Sequence, residues 1–536
     1  IKTRAAVFSD HFIIRVRFGI CHGMARYTAT ASLSMGWCPN CLKLWRPIAH
    51  ALFASVEKTR PRTVYQQDGS TQRSPASPLQ TRKIRSMKDD NFLKENNARH
   101  LWHPMGHPGD SLETPPRIIT GAQGVYVHDI DGHSAIDAVG GLWCVNLGYS
   151  NNPIKDAIAK QLYDLPYSSN FAGSTNPCAI EASLAVRNMF AEDGMARVFF
   201  TSGGSDSVET ALRLSRQYHR LRNEPTRTKF LSLKKGYHGT HFGGASVNGN
   251  NRFRINYEPL MPGCFHLPSP YTYRNPFDET DPAVLAQKIA ASFEDEILFQ
   301  GAQTIAAFIM EPIQGAGGVI VPDASFMKLM RDICDKYGIL MISDEVITGF
   351  GRTGDWSGAR HWGVKPDMMC LAKGITSAYF PVGAALMSEK VAEVFEKDRT
   401  GEAGIYHGYT YSAHPVGAAA VVACLQETLR LDTKTNAAAR GTQLFEGVKK
   451  LADKYDIIGD IRGGEGLMVG IEIVSDKAKK TPMDGATMAR LHQATFEAGA
   501  LVRLGMHNVL MSPPLVITEA EVDGIIKALD QGFANL

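Results

Sequence analysis

The sequence predicts an α/β fold: a large domain built on a mostly parallel central sheet, and a smaller α+β domain that the N- and C-terminal segments form together. Three observations predict it. Between residues 195 and 390, short apolar runs with polar ends recur as RVFFTS, TKFLSL, TIAAFIME, ILMISDE, DMMCLAK and VGAALMS. Runs of this length, apolar throughout, fit strands covered on both faces. Text of helical period such as FMKLMRDICDKYG lies between several of them, and strands alternating with helices make an α/β sheet. Outside this block, residues 123–137 (QGVYVHDIDGHSAID) alternate like an antiparallel hairpin with an Asp-Gly turn, and residues 458–474 (IGDIRGGEGLMVGIEIV) read as a second strand pair around glycines.

With 536 residues, 44% of them hydrophobic, the chain can bury more than one core, since single domains usually span roughly 100–200 residues. It has no uncharged apolar stretch of about 18 residues, so a membrane helix is not expected. Charge divides the chain unevenly. Residues 1–86 hold 14 Lys and Arg against the acids Asp10, Glu57 and Asp68, a net of +11 in a chain of net +3, so the remainder carries −8. The basic part lacks an amphipathic period and precedes Met87, where patterned sequence begins. It reads as a transit-like segment, a nucleic-acid arm, or upstream sequence from a mis-set start codon, the preferred reading; disorder or loose packing is expected there. Cys38 and Cys41 in WCPNC have the spacing of half a zinc site, but no second pair completes a ligand set, and no metal is expected. The other cysteines stand singly in apolar text, as Cys334, Cys370 and Cys424 do, which suits reduced thiols in a cytoplasmic protein.

In α/β sheets ligands gather at the carboxyl ends of strands, and three features fall there. RVFFTS runs into GGSDSVETALRLSR, a glycine turn opening an amphipathic helix. Free amides at such a helix start attract an anion such as phosphate, with Gly204 and Ser205 best placed to donate. Glycine there can also serve geometry alone, and neither a GK[ST] ending nor dinucleotide spacing is present. ILMIS ends on Asp344, where a carboxylate needs a positive partner, from a structural ion pair or from a ligand. DMMCLA ends on Lys373; a desolvated lysine becomes an amine nucleophile suited to an aldehyde, although a lysine can also snorkel at a strand end. Together these imply an aromatic aldehyde bearing a phosphate and a protonatable ring nitrogen. Pyridoxal 5'-phosphate (PLP) fits that description.

The ordered motifs SGGSDSVETA, GYHGTHFGGAS, EPIQGAGGVIVP, SDEVITGFGRTG, LAKGI, HGYTYSAHPVGAA and MSPPLVIT, spread over residues 90 to 536, resemble those of the class III, fold-type I PLP-dependent aminotransferases. The subgroup that uses amines and omega-amino acids with pyruvate is the most similar. The resemblance implies the fold-type I PLP-dependent transferase architecture, with residues 87–150 as the N-terminal part of the small domain, 151–416 as the large PLP-binding domain and 417–536 as the C-terminal small domain. Residues 1–86 are left as an extension.

The same resemblance implies roles for individual residues. Lys373 and Asp344 are catalytic. Tyr237 stacks on the cofactor ring, His238 follows it, Val346 packs beneath the other face, and Glu311 lies with them; Gly204, Ser205 and Thr410 serve the phosphate, Thr410 that of a neighbouring subunit. Trp143 and Phe171 line the substrate pocket, Phe171 from the partner chain, with Ala316 leaving room beside them. Arg503 takes the place of a mobile arginine that clamps an acceptor carboxylate. Ile347 stands where 2-oxoglutarate-using branches commonly have glutamine, which leans toward pyruvate. The implied reaction moves an amino group from an omega-amino acid or primary amine to pyruvate, in a homodimer or dimer of dimers with shared sites, without nucleic acid or membrane. Alternatives on the same scaffold are a 2-oxoglutarate-dependent 4-aminobutyrate or diamine aminotransferase and, less favoured, a PLP lyase or aminomutase. A non-enzymatic binding protein of this fold is disfavoured because both Lys373 and Asp344 are present. The location expected is cytoplasmic, or mitochondrial if the basic segment is a transit peptide.

Overall fold

The computed structural model describes residues 90–171 and 173–536. The expectations for residues 1–86, including Cys38 and Cys41, lie outside the described residues.

Strands β1 (Ile119–Gln123), β2 (Tyr126–Asp129) and β3 (Ser134–Asp137) form an antiparallel meander. The Asp-Gly turn joins β2 to β3, and Gly132 takes a φ of +86° there, which glycine adopts at little cost. The central strands follow: β4 (Met195–Thr201), β5 (Lys229–Leu233), β6 (Cys264–Leu267), β7 (Ile305–Met310), β8 (Leu340–Asp344), β9 (Met368–Leu371) and β10 (Gly383–Ser388). They make one sheet in the order β4-β10-β9-β8-β7-β5-β6. Parallel pairing runs from β9 through β8, β7 and β5 to β6, while β10 is antiparallel to both neighbours. Every residue of β7, β8 and β9 is buried, so these strands carry no alternation in the sequence.

The helix Phe326–Tyr337 shows why the text between strands reads as helical. Its buried residues Phe326, Met327, Met330 and Cys334 recur at helical spacing, and it ends on Gly338 in the left-handed region, φ +66°. It packs on the helix Pro282–Gln300, where Phe293 meets Phe308 of β7 with ring centroids 4.7 Å apart.

The C-terminal part holds β11 (Ile458–Gly464), β12 (Gly466–Asp476), β13 (Thr481–Pro482), β14 (Ala500–Leu501), β15 (Arg503–Gly505) and β16 (Asn508–Met511). Strand β14 joins β3 in parallel, and β11-β12-β16-β15 form a separate antiparallel sheet. Val125, Ile136 and Ala138 from the N-terminal meander share a core with Leu444, Leu467, Ile471, Val509 and Ile525. Among the described residues, no helix is long and apolar enough to cross a membrane, and no group of three or more His, Cys, Asp and Glu side chains could hold a metal ion. The described cysteines are all free.

Candidate active site

Two adjacent carboxylates end β8, and the strand pleat sends them to different surroundings. Glu345 is fully buried and saturated. It accepts from the Gly358 and Ala359 amides and the Ser343 hydroxyl, each at 2.8 Å, and from the Thr348 hydroxyl. Burial raises its pKa against those donors, so it serves as a structural anchor for the loop after β8. Asp344 faces the other way. Its Oδ1 accepts from the Val346 amide at 3.2 Å, and its Oδ2 lies 2.8 Å from His238 Nδ1, which donates to it. The sequence reading assigned Asp344's balancing partner to a ligand cation; the structure adds His238 as a partner inside the chain.

His238 is 1% exposed, and its Nε2 has no hydrogen-bond partner. It sits on the turn after β5, where the Tyr237 amide donates to Glu311 Oε1 at 2.9 Å and the Gly315 amide donates to Glu311 Oε2 at 2.9 Å. Burial, with Asp344 adding to it, pushes the Glu311 carboxyl up to about 7 despite those donors and His238. Tyr237 meets Phe253 edge to face at 5.0 Å.

Lys373 follows β9, whose Cys370 is paired in register with Asp344. It holds a left-handed φ of +47°, unusual for lysine and a sign of local constraint. Gly374 behind it has no space for a side chain, since a Cβ there would lie 2.5 Å from Asn146 Nδ2. Burial lowers the Lys373 pKa; the charges of Asp344, Glu311 and Cys144 oppose the shift, and Arg503 adds to it. Lys373 therefore lies within electrostatic reach of Asp344, Glu311 and Arg503.

At the end of β4, the helix Gly204–Leu221 starts without a side-chain cap, which leaves its first amides directed outward. The turn is crowded on its inner side. A Cβ on Gly204 would stand 3.1 and 3.2 Å from the two Val346 methyls and 3.5 Å from the Ala372 Cβ, so the helix start, the end of β8 and the segment before Lys373 converge. Ser205 Oγ accepts from the Thr240 amide at 3.2 Å, which ties the same turn to the Tyr237–His238 segment and leaves the hydroxyl proton free to donate.

On the other side, Trp143 and Ile347 are buried in one apolar cluster with Ile313, Val319, Met468 and Leu510. Ala316 is half-buried on the loop after Glu311. Arg503 is paired in register with Leu510 on β16; burial lowers its pKa, with Tyr237 opposing and Arg252 adding to the effect. Phe171 and Thr410 lie elsewhere, together on an exposed patch. The Tyr167 hydroxyl donates to the Thr410 carbonyl at 3.0 Å, and a Cβ on Gly408 would lie 3.4 Å from the Phe171 ring. Sequence reasoning missed the contact of His238 with Asp344, 106 positions apart, and the placement of Cys144 near Lys373. No spacing in the sequence signals either.

The arrangement suits PLP. An uncapped helix start fits a phosphate, a carboxylate held by His238 fits a ring cation, and a half-buried amine of lowered basicity fits an aldehyde. A flat aldehyde bound by a nucleophilic lysine in an α/β sheet of this order defines a PLP-dependent transferase. The model of the class-III aminotransferases matches residues 109–533, and the chain belongs to that family; it is a PLP-dependent aminotransferase. Among curated proteins, it is 35% identical to a taurine–pyruvate aminotransferase of Bilophila wadsworthia, over 82% of this chain and 96% of that one. It is 36% identical to a putrescine–pyruvate aminotransferase of Pseudomonas aeruginosa, over 79% and 92%. Among solved structures, an amine transaminase from an uncultivated Pseudomonas species in its PLP-bound form superposes with a TM-score of 0.80 at 45% identity, covering 81% of this chain and 98% of that one.

Proposed function

We propose that the enzyme transfers an amino group from a primary amine or omega-amino acid to pyruvate, giving a carbonyl product and alanine. The observation that carries this reading is the placement of Arg503: a half-buried cation that Tyr237 influences, it is paired in register with Leu510, which belongs to the same apolar cluster as Trp143 and Ile347. A cation suits the carboxylate of a small keto acid, and an apolar wall suits an uncharged amine tail. The taurine–pyruvate and putrescine–pyruvate activities of the two relatives accord with it.

PLP, when bound, supplies a carbonyl that condenses with amines and a ring that accepts electron density. Lys373 contributes a half-buried amine whose lowered pKa favours its neutral form, so it could take a proton from the substrate carbon and, as the ammonium so formed, give that proton back. Asp344, held through Oδ2 by His238, would hold a proton at the ring nitrogen. Gly204 and Ser205 at the helix start would hold the phosphate. Tyr237 and Val346 would hold the ring, and Glu311 fixes the Tyr237 amide.

Residues 151–416 form the cofactor-binding domain on this reading, with 87–150 and 417–536 as the small domain. Phe171 and Thr410 serve a second copy of the chain, so that each site draws on two subunits. The test is a donor panel of taurine, putrescine, β-alanine, 4-aminobutyrate and an arylalkylamine against pyruvate and 2-oxoglutarate. Alanine formed in step with carbonyl product is expected; turnover with 2-oxoglutarate but not pyruvate would overturn the acceptor assignment.

A further inference from the structure

Behind the pocket wall lies a buried polar network that the transfer itself does not use. Its centre is Arg462 on β11, 8% exposed. Arg462 Nε donates to the Gly318 carbonyl at 2.7 Å, Nη1 donates to the Tyr271 hydroxyl at 2.7 Å and to Asp460, and Nη2 donates to Asn508 Oδ1. Gly318 belongs to the loop closed by the Gln314–Ile320 bridge, the loop that carries Ala316. Asn508 begins β16 and faces Gly505, the last residue of the strand that carries Arg503. One planar guanidinium therefore joins the Ala316 loop to the Arg503 hairpin, a task its rigid fork of donors suits.

Glu472 on β12 completes the network. It accepts from Arg274 Nε at 2.5 Å and from the Tyr271 hydroxyl, and its Oε1 lies 3.3 Å from His507 Nε2. The Ile473 amide donates to the His507 carbonyl at 2.8 Å, so the hairpin turn is held at two successive residues, His507 and Asn508. Little slack remains around the facing loop. A Cβ on Gly470 would lie 2.5 Å from the Gly318 carbonyl oxygen, and one on Gly317 would lie 2.6 Å from that of Lys235.

We propose that Arg462 is a positioning residue for the acceptor: it sets the separation of the Ala316 loop from the Arg503 hairpin and so places the Arg503 guanidinium where a keto-acid carboxylate meets it. The proposal rests on the reading of Arg503 given above. Lysine at 462 keeps the charge and loses the fork. Asn508→Ala cuts the arm to the hairpin together with the Asn508 Nδ2 donation to the Gly505 carbonyl at 3.2 Å, and leaves the Arg462–Glu472 centre in place.

The test uses the holoenzyme with pyruvate and an amine from the panel that supports turnover, comparing Arg462→Lys, Asn508→Ala, Asn508→Asp and Arg503→Leu. For Arg462→Lys and Asn508→Ala the KM for pyruvate is expected to rise about tenfold, the size of one weakened charge-assisted hydrogen bond, with kcat and the donor KM within about twofold. Asn508→Asp keeps an acceptor for Arg462 and loses, as Asn508→Ala does, the donation to the Gly505 carbonyl; it is expected to restore the wild-type KM. A KM raised as in Asn508→Ala would place the effect on the Gly505 contact and overturn the proposal. Propionate, an unreactive carboxylate, should bind more weakly by the same factor when its binding is read from the cofactor's absorbance. A raised pyruvate KM in Arg503→Leu alone, with the other variants unchanged, overturns the proposal and leaves the Arg503 reading standing. An unchanged pyruvate KM in Arg503→Leu removes that reading and the proposal with it. Donor and acceptor KM rising together, as general loosening would produce, also overturns it.

Discussion

At the scale of single residues, the chemistry depends on where charge is buried. The placement of Lys373 and Asp344 at the ends of β9 and β8 was legible in the sequence, because each closes an apolar run. The His238 contact was not legible, since the turn after β5 and the end of β8 meet only once the sheet has formed. Glu345 shows the converse: two adjacent acids read alike in the sequence, and only the fold separates Glu345, saturated by four donors, from Asp344, which faces His238. Replacing Lys373 with alanine is expected to reduce turnover by at least about 10⁴-fold while PLP remains bound noncovalently. Borohydride reduction followed by mass spectrometry should then find no cofactor adduct on the protein, and finding one would refute the assignment of Lys373. For Asp344→Asn, a loss of about 10²–10⁴-fold in the single-turnover rate is expected, and near-normal rates would remove it from the mechanism.

At the scale of elements, strands buried on both faces were readable as continuous apolar runs, and so were the helix Phe326–Tyr337 and the Asp-Gly hairpin. Strand β6 was not. It has four residues, three of them only partly buried, and lies at the sheet edge beside β5, so it shows neither a continuous run nor an alternation. The direction of β10 was equally hidden, because a buried run without period does not reveal which way it points. Strand β12 carries a consequence for stability. Burial alone would raise the Glu472 pKa, but hydrogen bonds from His507, Tyr271 and Arg274, with the charge of Arg462, hold it at about 2. Lys235 faces the same group, and its own pKa is lowered by burial. A carboxylate depressed on folding stabilises the protein above its unfolded value of about 4.3 and loses that contribution as pH falls through the folded value. Glu472→Gln is therefore expected to cost at most about 3 kcal/mol at pH 7. Thermal melting should show the gap to wild type narrowing steadily as pH falls from 5 toward 2; a constant gap would contradict the assignment.

At the scale of the whole molecule, exposed aromatic residues lie at the patch that holds Phe171 and Thr410. Tyr167 donates to the Thr410 carbonyl and meets Tyr411 edge to face with ring centroids 6.4 Å apart, and Phe171, Tyr167 and Tyr411 all stand out to solvent in a single chain, an arrangement that association with a second copy would cover. On the shared-site reading, Thr410→Ala loosens cofactor held by the partner: PLP should leave about tenfold faster on dialysis while sedimentation still reports the same assembly. Unchanged retention would count against a shared phosphate site. The single reversed strand has a further consequence. Because β10 runs against its neighbours, Gly383 lies beside Thr201 at the chemical rim and Ser388 beside Met195 at the other. The chain thus arrives at the rim through residues 372–382 and departs on the far side, directly into the helix Glu389–Lys397. Length added after β10 would emerge behind the catalytic face, making that junction a natural graft point for a fused partner or surface tether.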